Sequence, residues 1–387
     1  MKFLKQHYKI IVALLHGILL FIVLWQVSNG SFSWQVDEEL MKKVNAAGNK
    51  LSGSNAQYDH DFVFVNVSRD LKLVSDPAEY GETAITDRSK LAQFFKILAD
   101  NGNKHHYALC DIFLEFPDDD DTALLAQTKR CTKLLFPYHI TGDSVQKPCL
   151  PVHSALSDFV TNTGDFSKFK LVYNDTLKTT PLVLLEEIDH KKYPRSYLDF
   201  KSVFPKYYIQ LPQLFETKKY PYYNLGELLM LSEADSFYHK FLENKFIVIG
   251  NYDTDVQNSA VGKIAGPLIL LNTYLSIRNR GHVSWWWAFF MIASLTAVSY
   301  LLFFKKVKAP VIYNHPWLDL LMQLFVNDYI SFFGICLLLA VLSELIFLVQ
   351  MSFSVLLSYL FVVSFLKEFY NRHYKKEGEK TLKPVSV

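Results

Sequence analysis

The sequence predicts an α/β protein: an extracytoplasmic domain with a mixed sheet and flanking helices, carried by four transmembrane helices, one N-terminal and three C-terminal. Three observations predict it. Apolar runs free of acid and base sit near the two ends, the middle is charged and polar throughout, and within that middle short apolar runs alternate with amphipathic segments of helical length. Lys and Arg number 40 against 38 Asp and Glu among 387 residues, a net charge of +2, so nothing argues for nucleic acid as a partner.

The first apolar run, residues 10–27 (IIVALLHGILLFIVLWQV), is interrupted only by His16 and follows Lys2, Lys5 and Lys9. It is long enough to cross a hydrocarbon core and longer than the apolar stretch of a cleaved signal, and VSNGS after it lacks a small-x-small cleavage pattern. The second run, WWWAFFMIASLTAVSYLLFF, opens on three tryptophans and ends on Lys305, Lys306 and Lys308, a polarity that runs from outside to inside. Two more runs, 329–349 and 351–369, meet near Gln350 and lead into a tail with Arg372, Lys375, Lys376, Lys380 and Lys383. Parity and the bias of basic residues then agree. Both termini are expected in the cytoplasm and residues 28–283 outside it, in a multi-pass protein of the bacterial cytoplasmic (inner) membrane. Arg278 and Arg280 run against the bias, but charge beside a long translocated domain carries little topogenic weight.

These boundaries divide the chain into an anchor (1–27), a short amphipathic helix over 36–44 with a linker (28–60), the outer domain (61–283), three transmembrane helices with a loop at 305–328 (284–370), and a basic tail (371–387). Within the outer domain DFVFVNVS (61–68) is a strand. DRSKLAQFFKILADNG (87–102) is a helix capped by Asp87, HYALCDIFLEF a strand, DDDDTALLAQTKRC a helix beginning near Asp121, and TKLLFPYHI a third strand. Helical crossovers between strands favour a mainly parallel sheet. FKLVYND, PLVLLEE and YYIQL read as short strands of an antiparallel extension, FIVIG as a buried strand, and 266–281 as a helix leading to the second span. In the 305–328 loop, Pro316 precedes Trp317, Leu320, Leu321, Leu324 and Phe325 at helical spacing, which fits either a helix lying on the inner surface or the lower end of the third span.

The stretch KFIVIGNYDTDVQN (245–258) has the outline of a loop that carries chemistry: a buried strand, a glycine, then carboxylates. It lacks both G-x-G-x-x-G and the P-loop pattern, and no G-x-S-x-G elbow occurs, so no cofactor and no catalysis are expected. Ligands of open parallel sheets favour the carboxyl ends of strands, which is where Asp111, Asp253 and Asp255 fall, close to Asn66 and with Asn258 following. Such a group suits a cation or a small polar ligand; turn chemistry at Asp253 and Asp255 is the competing reading. The run Asp118 to Asp121 lacks the alternation of a calcium loop and reads as helix capping. His105 and His106, adjacent on a strand, would face opposite ways and offer one ligand at most. Cys131 and Cys149 are spaced to pair or to stay reduced, Cys110 lies in an apolar run, and Cys336 lies in the third span. Glu344, inside the third span, is a contact for a partner's helix or a group near its outer end; with Trp317 and Leu321 it makes up the candidate partner surface.

CDIFLEF with DDDDTALLAQ, then NKFIVIGNYDTDVQNSAVGKIAGPLILLNTYLSI, set between one leading span and three trailing ones, resemble the CHASE domain of the second type, a cyclase- and histidine-kinase-associated sensory extracellular domain. The resemblance covers most of residues 60–370. It implies an extracytoplasmic sensory domain that normally precedes a cytoplasmic kinase or cyclase. Departures are local: Asn66 and Ser68 stand where an acidic pair is usual, 258–262 (NSAVG) replaces Thr-Pro-x-Gly, and Leu271 and Asn272 replace a His-Ala pair. About twenty residues follow the last span, too few for an output domain, so the expected partner is a separate signalling or envelope protein beside membrane lipid, with homo-oligomerisation left open. The expectation is a non-catalytic membrane sensor or scaffold. A structural subunit of an envelope assembly, and a periplasmic enzyme using the aspartates, are the alternatives.

Overall fold

A computed structural model describes residues 2–29, 61–76, 81–142, 144–161, 165–173, 177–193, 198–199, 201–232, 237–259, 262–279, 285–304, 330–347 and 351–373, with single residues between 37 and 44 and at 349. The linker at 45–60, the loop at 305–328 with Trp317 and Leu321, and most of the tail lie outside the described residues, as do 36, 38, 41 and 42 of the 36–44 helix. Two compact units emerge: Asn45–Arg195 with Lys201–Arg280, and Met1–Val44 with Ser196–Phe200 and Gly281–Val387.

The first unit is a mixed α/β fold. In chain order its strands are β1 (Phe62–Asn66), β2 (Leu71–Asp76), β3 (Gly81–Thr86), β4 (Tyr107–Asp111), β5 (Leu134–Thr141), β6 (Ser144–Gln146), β7 (Ser154–Leu156) and β8 (Val160–Thr161). Then come β9 (Asp165–Lys170), β10 (Val172–Tyr173), β11 (Leu177–Lys178), β12 (Ser202–Val203), β13 (Tyr222–Asn224), β14 (Phe246–Gly250), β15 (Val256–Ser259) and β16 (Gly262–Ala265). The main sheet runs β13-β1-β14-β4-β5-β6, with β7 also on β5; its pairings are parallel apart from β5 with β6. A second sheet runs β12-β9-β15-β16, with β8 on β9.

The central strands FVFVN and FIVIG are buried at every position because both faces of the sheet are covered. Alternation sends Phe62, Phe64, Phe246 and Val248 to one core, against Leu182 and Leu185 of the helix Thr180–Ile188 and Leu268, Leu271 and Leu275 of the helix Gly266–Asn279. Val63, Val65, Ile247 and Ile249 meet Leu91, Phe94, Phe95 and Leu98 of the helix Arg88–Asp100 on the other side. Each such side chain contributes about 1.5–3 kcal/mol on burial, and together they fix the register that brings the strand ends level. Asp87 caps the helix Arg88–Asp100 as the sequence predicts, accepting from the N–H groups of Ser89 and Lys90.

Three local expectations are corrected. PLVLLEE is the helix Thr180–Ile188, with Pro181 in its first turn; a run this short does not show its period. YYIQL forms no strand, because Asn272 serves Ile209 as a strand neighbour would, accepting from its N–H at 3.0 Å and donating to its carbonyl at 2.7 Å. The acidic run does start the helix Asp121–Arg130, but Asp120 makes no side-chain cap bond. Lys72 pairs with Asp118 and Asp120 at 2.7 and 2.8 Å, and the buried Arg88 pairs with Asp121. All four cysteines are free thiols, with Cys149 exposed and the other three buried.

In the second unit the helices Lys2–Asn29 and Trp285–Phe304 run antiparallel, Phe21 lying 5.5 Å from Trp287 and Tyr8 6.1 Å from Phe304 by ring centroid. At their crossing a Cβ on Gly17 would stand 2.6 Å from Thr296 Oγ1 and 2.8 Å from its backbone nitrogen, so only glycine permits the approach. Next to Gly17, His16 uses both ring nitrogens, Nδ1 with Ser299 Oγ at 2.7 Å and Nε2 with Tyr359 Oη. Lys367 donates to the Leu302 carbonyl, which with the His16 contacts sets the helix Phe353–His373 in the same direction as Trp285–Phe304. Asp37 caps that helix, accepting from Ser354 N at 2.7 Å and Ser352 Oγ at 2.6 Å. Glu344, in the helix Ile330–Phe347, is 1% exposed and so is not presented on the surface, which corrects its reading as a ready partner contact. Among the described residues two helices are long and apolar enough to cross a membrane, His7–Asn29 and Trp285–Phe304; the apolar stretches Phe333–Glu344 and Phe353–Lys367 are shorter.

Candidate functional site

The parallel register puts Asn224, Asn66, Gly250 and Asp111 in one row at the carboxyl ends of β13, β1, β14 and β4. They share parity with Phe64 and Val248, so all four belong to the face covered by the helix Gly266–Asn279. Gly250 is required there: a Cβ would lie 2.3 Å from Pro267 Cγ, and the helix could not start so close to the sheet.

On the β1 side the row is closed by hydrogen bonds. Asn66, 1% exposed, donates from Nδ2 to Ser68 Oγ at 2.8 Å, Asn224 Oδ1 at 3.1 Å and Asp253 Oδ2 at 3.3 Å. Its Oδ1 accepts from the N–H groups of Ser68 and Tyr252 at 3.1 and 3.2 Å. Ser68 Oγ also donates to Asp253, which is otherwise exposed. Turn chemistry in this loop is performed by Asn251, whose Oδ1 takes the N–H groups of Asp253 and Thr254 at 3.1 and 2.9 Å. Asp253 is therefore free of that task and anchors Asn66 and Ser68.

On the β4 side a charge cluster forms. Asp255 lies against the first residue of the helix Gly266–Asn279: its carbonyl accepts the Gly266 N–H at 2.9 Å, and a Cβ on Gly266 would fall 2.0 Å from Asp255 Oδ2. The carboxyl thus meets the positive end of the helix dipole over a glycine that makes room for it. Burial lifts the Asp255 carboxyl above its ordinary value, against a hydrogen bond from Gln257 and the influence of His139. Asp111 is pushed up to about 7, first by burial and then by the Asp255 charge, with His139 pulling the other way. Burial opposes charging of His139, yet the imidazole ends above its ordinary value, because Asp158 bonds its Nδ1 at 2.7 Å and Asp158, Asp111 and Asp255 surround it with negative charge. Asp111 therefore changes charge near neutral pH, where a ligand's charge or hydrogen bond can displace its proton. Among the described residues no group of three or more His, Cys, Asp or Glu is placed to hold a metal ion.

Of the residues expected from sequence, Asn66 meets Asp253 and Asp111 meets Asp255, as two adjoining halves of one edge. Asn258 does not join them. The chain enters β15 at Val256, and Asn258 is exposed there, opposite Lys263 of β16 and Asp165 of β9, in the other sheet. His105 is buried and His106 exposed, so the two do face apart, and burial first of all pushes His105 down to about 4. His139, Asp158 and Asn224 were missed. His139 lies near the end of a predicted strand, the same placement that marks Asp111; Asp158 follows, and Asn224 ends, a strand too short to read from the sequence. No protein-family model matches this chain, and no curated protein or solved structure matches it significantly.

Proposed function

We propose that this protein is a non-catalytic membrane sensor or scaffold with a CHASE-type outer domain, which receives a small polar or cationic ligand at the carboxyl edge of its sheet and passes the signal to a separate partner protein. The observation that supports the reading is the Asp111–Asp255 pair, two carboxyls beside a helix N-terminus with a proton poised to leave near neutrality. A cationic group entering there replaces that proton, and binding is coupled to the helix Gly266–Asn279 through Asp255 and Gly266. Four spans, both termini in the cytoplasm and residues 28–283 outside the inner membrane complete the proposal. Its support is the antiparallel pair Lys2–Asn29 and Trp285–Phe304, the matching direction of Phe353–His373, and Asp37, from beyond the first helix, capping the start of the last.

Affinity purification of the full chain from native membranes tests the partner. A distinct signalling protein is expected, recovered in an amount that changes when Asp111 and Asp255 are both replaced by Asn. Recovery of the chain alone contradicts the proposal; a partner recovered equally with the double variant points instead to a structural subunit of an envelope assembly.

A further inference from the structure

Among the described residues the main sheet ends on β13, whose neighbour is β1. Phe64 N donates to the Pro221 carbonyl at 2.9 Å, and in the alternation of a parallel ladder this turns the N–H and C=O of Tyr222 to the open side. A cleft of about 740 Å³ follows that edge. Side chains from both sheet faces wall it: Tyr222 packs edge-on to Phe215 at 5.1 Å, and Tyr223 edge-on to Phe241 at 6.0 Å. Because successive residues of one strand point to opposite faces, a cleft lined by both tyrosines straddles the strand's backbone edge.

The charge of the cleft is one-sided. Lys218, Lys219, Lys240 and Lys245 line it, and no carboxylate does among the described residues. Lys218 is held at φ 47°, in the left-handed region where glycine or asparagine fits more easily, and lysine stands there instead.

We propose that this groove takes an extended acidic peptide of a partner protein as an added strand on β13. The peptide backbone pairs with Tyr222, its apolar side chains enter between the aromatic walls, and its carboxylates meet the lysines. The lysines could otherwise serve only to keep sheet edges of two copies apart, and the experiment separates these roles. The cleft lies toward the amino ends of β13 and β14; Tyr222 reaches from it to Asn66 of the polar row, but the proposal does not rest on the sensor reading.

The probe is a fluorescein-labelled peptide, EVEYEVE, added to the full chain in lipid nanodiscs and followed by anisotropy. Saturable binding is expected, lost when alternate peptide nitrogens are methylated, absent for KVKYKVK, and weakened about tenfold or more by Lys218→Gln with Lys240→Gln, both exposed side chains. Binding of the methylated peptide as well as its parent, or no binding of EVEYEVE at all, overturns the proposal. Unchanged binding by a double variant that self-associates would also overturn it, in favour of edge protection.

Discussion

Replacing Asp111 by Asn isolates the cost of keeping a second carboxyl beside Asp255. Asp111 titrates near 7 in place of the ordinary 3.8 because its surroundings exclude water and Asp255 repels its charge. The folded-state value is raised, so at low pH folded and unfolded chains both hold the proton and nothing is lost. From about pH 4 the unfolded chain releases it first, and above pH 7 the folded domain bears the whole penalty, about 4 kcal/mol. Asn keeps the shape and cannot ionise. Asp111→Asn is expected to lie within about 1 kcal/mol of the parent at pH 4 and to be about 3–4 kcal/mol more stable at pH 8. All six tryptophans lie outside residues 61–279, so their fluorescence does not report on the sheet. Urea unfolding of the full chain, followed by near-ultraviolet circular dichroism of the domain's tyrosines, does. A gain of the same size at both pH values, or a loss at pH 8, would refute the buried-pair account.

Gly266→Ala drives a methyl into the Asp255 carboxyl and is expected to lower stability by about 2–3 kcal/mol; most of that cost should vanish in an Asp255→Gly background, and additive effects in the double-mutant cycle would contradict the contact. Asn66→Ala strands the buried Tyr252 N–H and frees Asn224, Ser68 and Asp253, with an expected loss of about 3 kcal/mol in the same urea assay; a change under 1 kcal/mol would show the network to be redundant. Asp158→Asn should move the His139 titration down toward the ordinary imidazole value by NMR. Because the folded value is raised, the stabilisation from the His139–Asp158 pair is full below about pH 6.5 and lost as pH rises through the folded value, so the variant's deficit should be largest in acid.

The parts of this molecule that could be read from sequence are those where one physical demand dominates. Strands buried on both faces leave unbroken apolar runs, FVFVN and FIVIG, and Asp87 before an amphipathic run announces a helix start. PLVLLEE was misread because a helix of nine residues, mostly buried, gives no polar face to mark its period. The stretch around Ile209 went wrong because its partner is the side chain of Asn272, sixty-three residues away in sequence. The carboxyl-edge row follows the same logic. Asn66, Asp111, Asp253 and Asp255 end or follow legible strands, whereas Asn224 ends, and Asp158 follows, a strand of three residues paired to a longer neighbour. Asn258 was misplaced because the chain changes sheets within a few residues of Asp255, a turn that local sequence does not announce.

The central claim, that the α/β domain and the two chain ends lie on opposite sides of a membrane, is tested most directly through Cys149, the exposed one of four free thiols. Right-side-out and inside-out vesicles from cells making the full chain are treated with a membrane-impermeant maleimide, with Cys149→Ser as the control. The account predicts labelling of Cys149 in right-side-out vesicles and protection in inside-out ones until detergent is added. Labelling confined to the inside-out preparation would put the domain in the cytoplasm and contradict it.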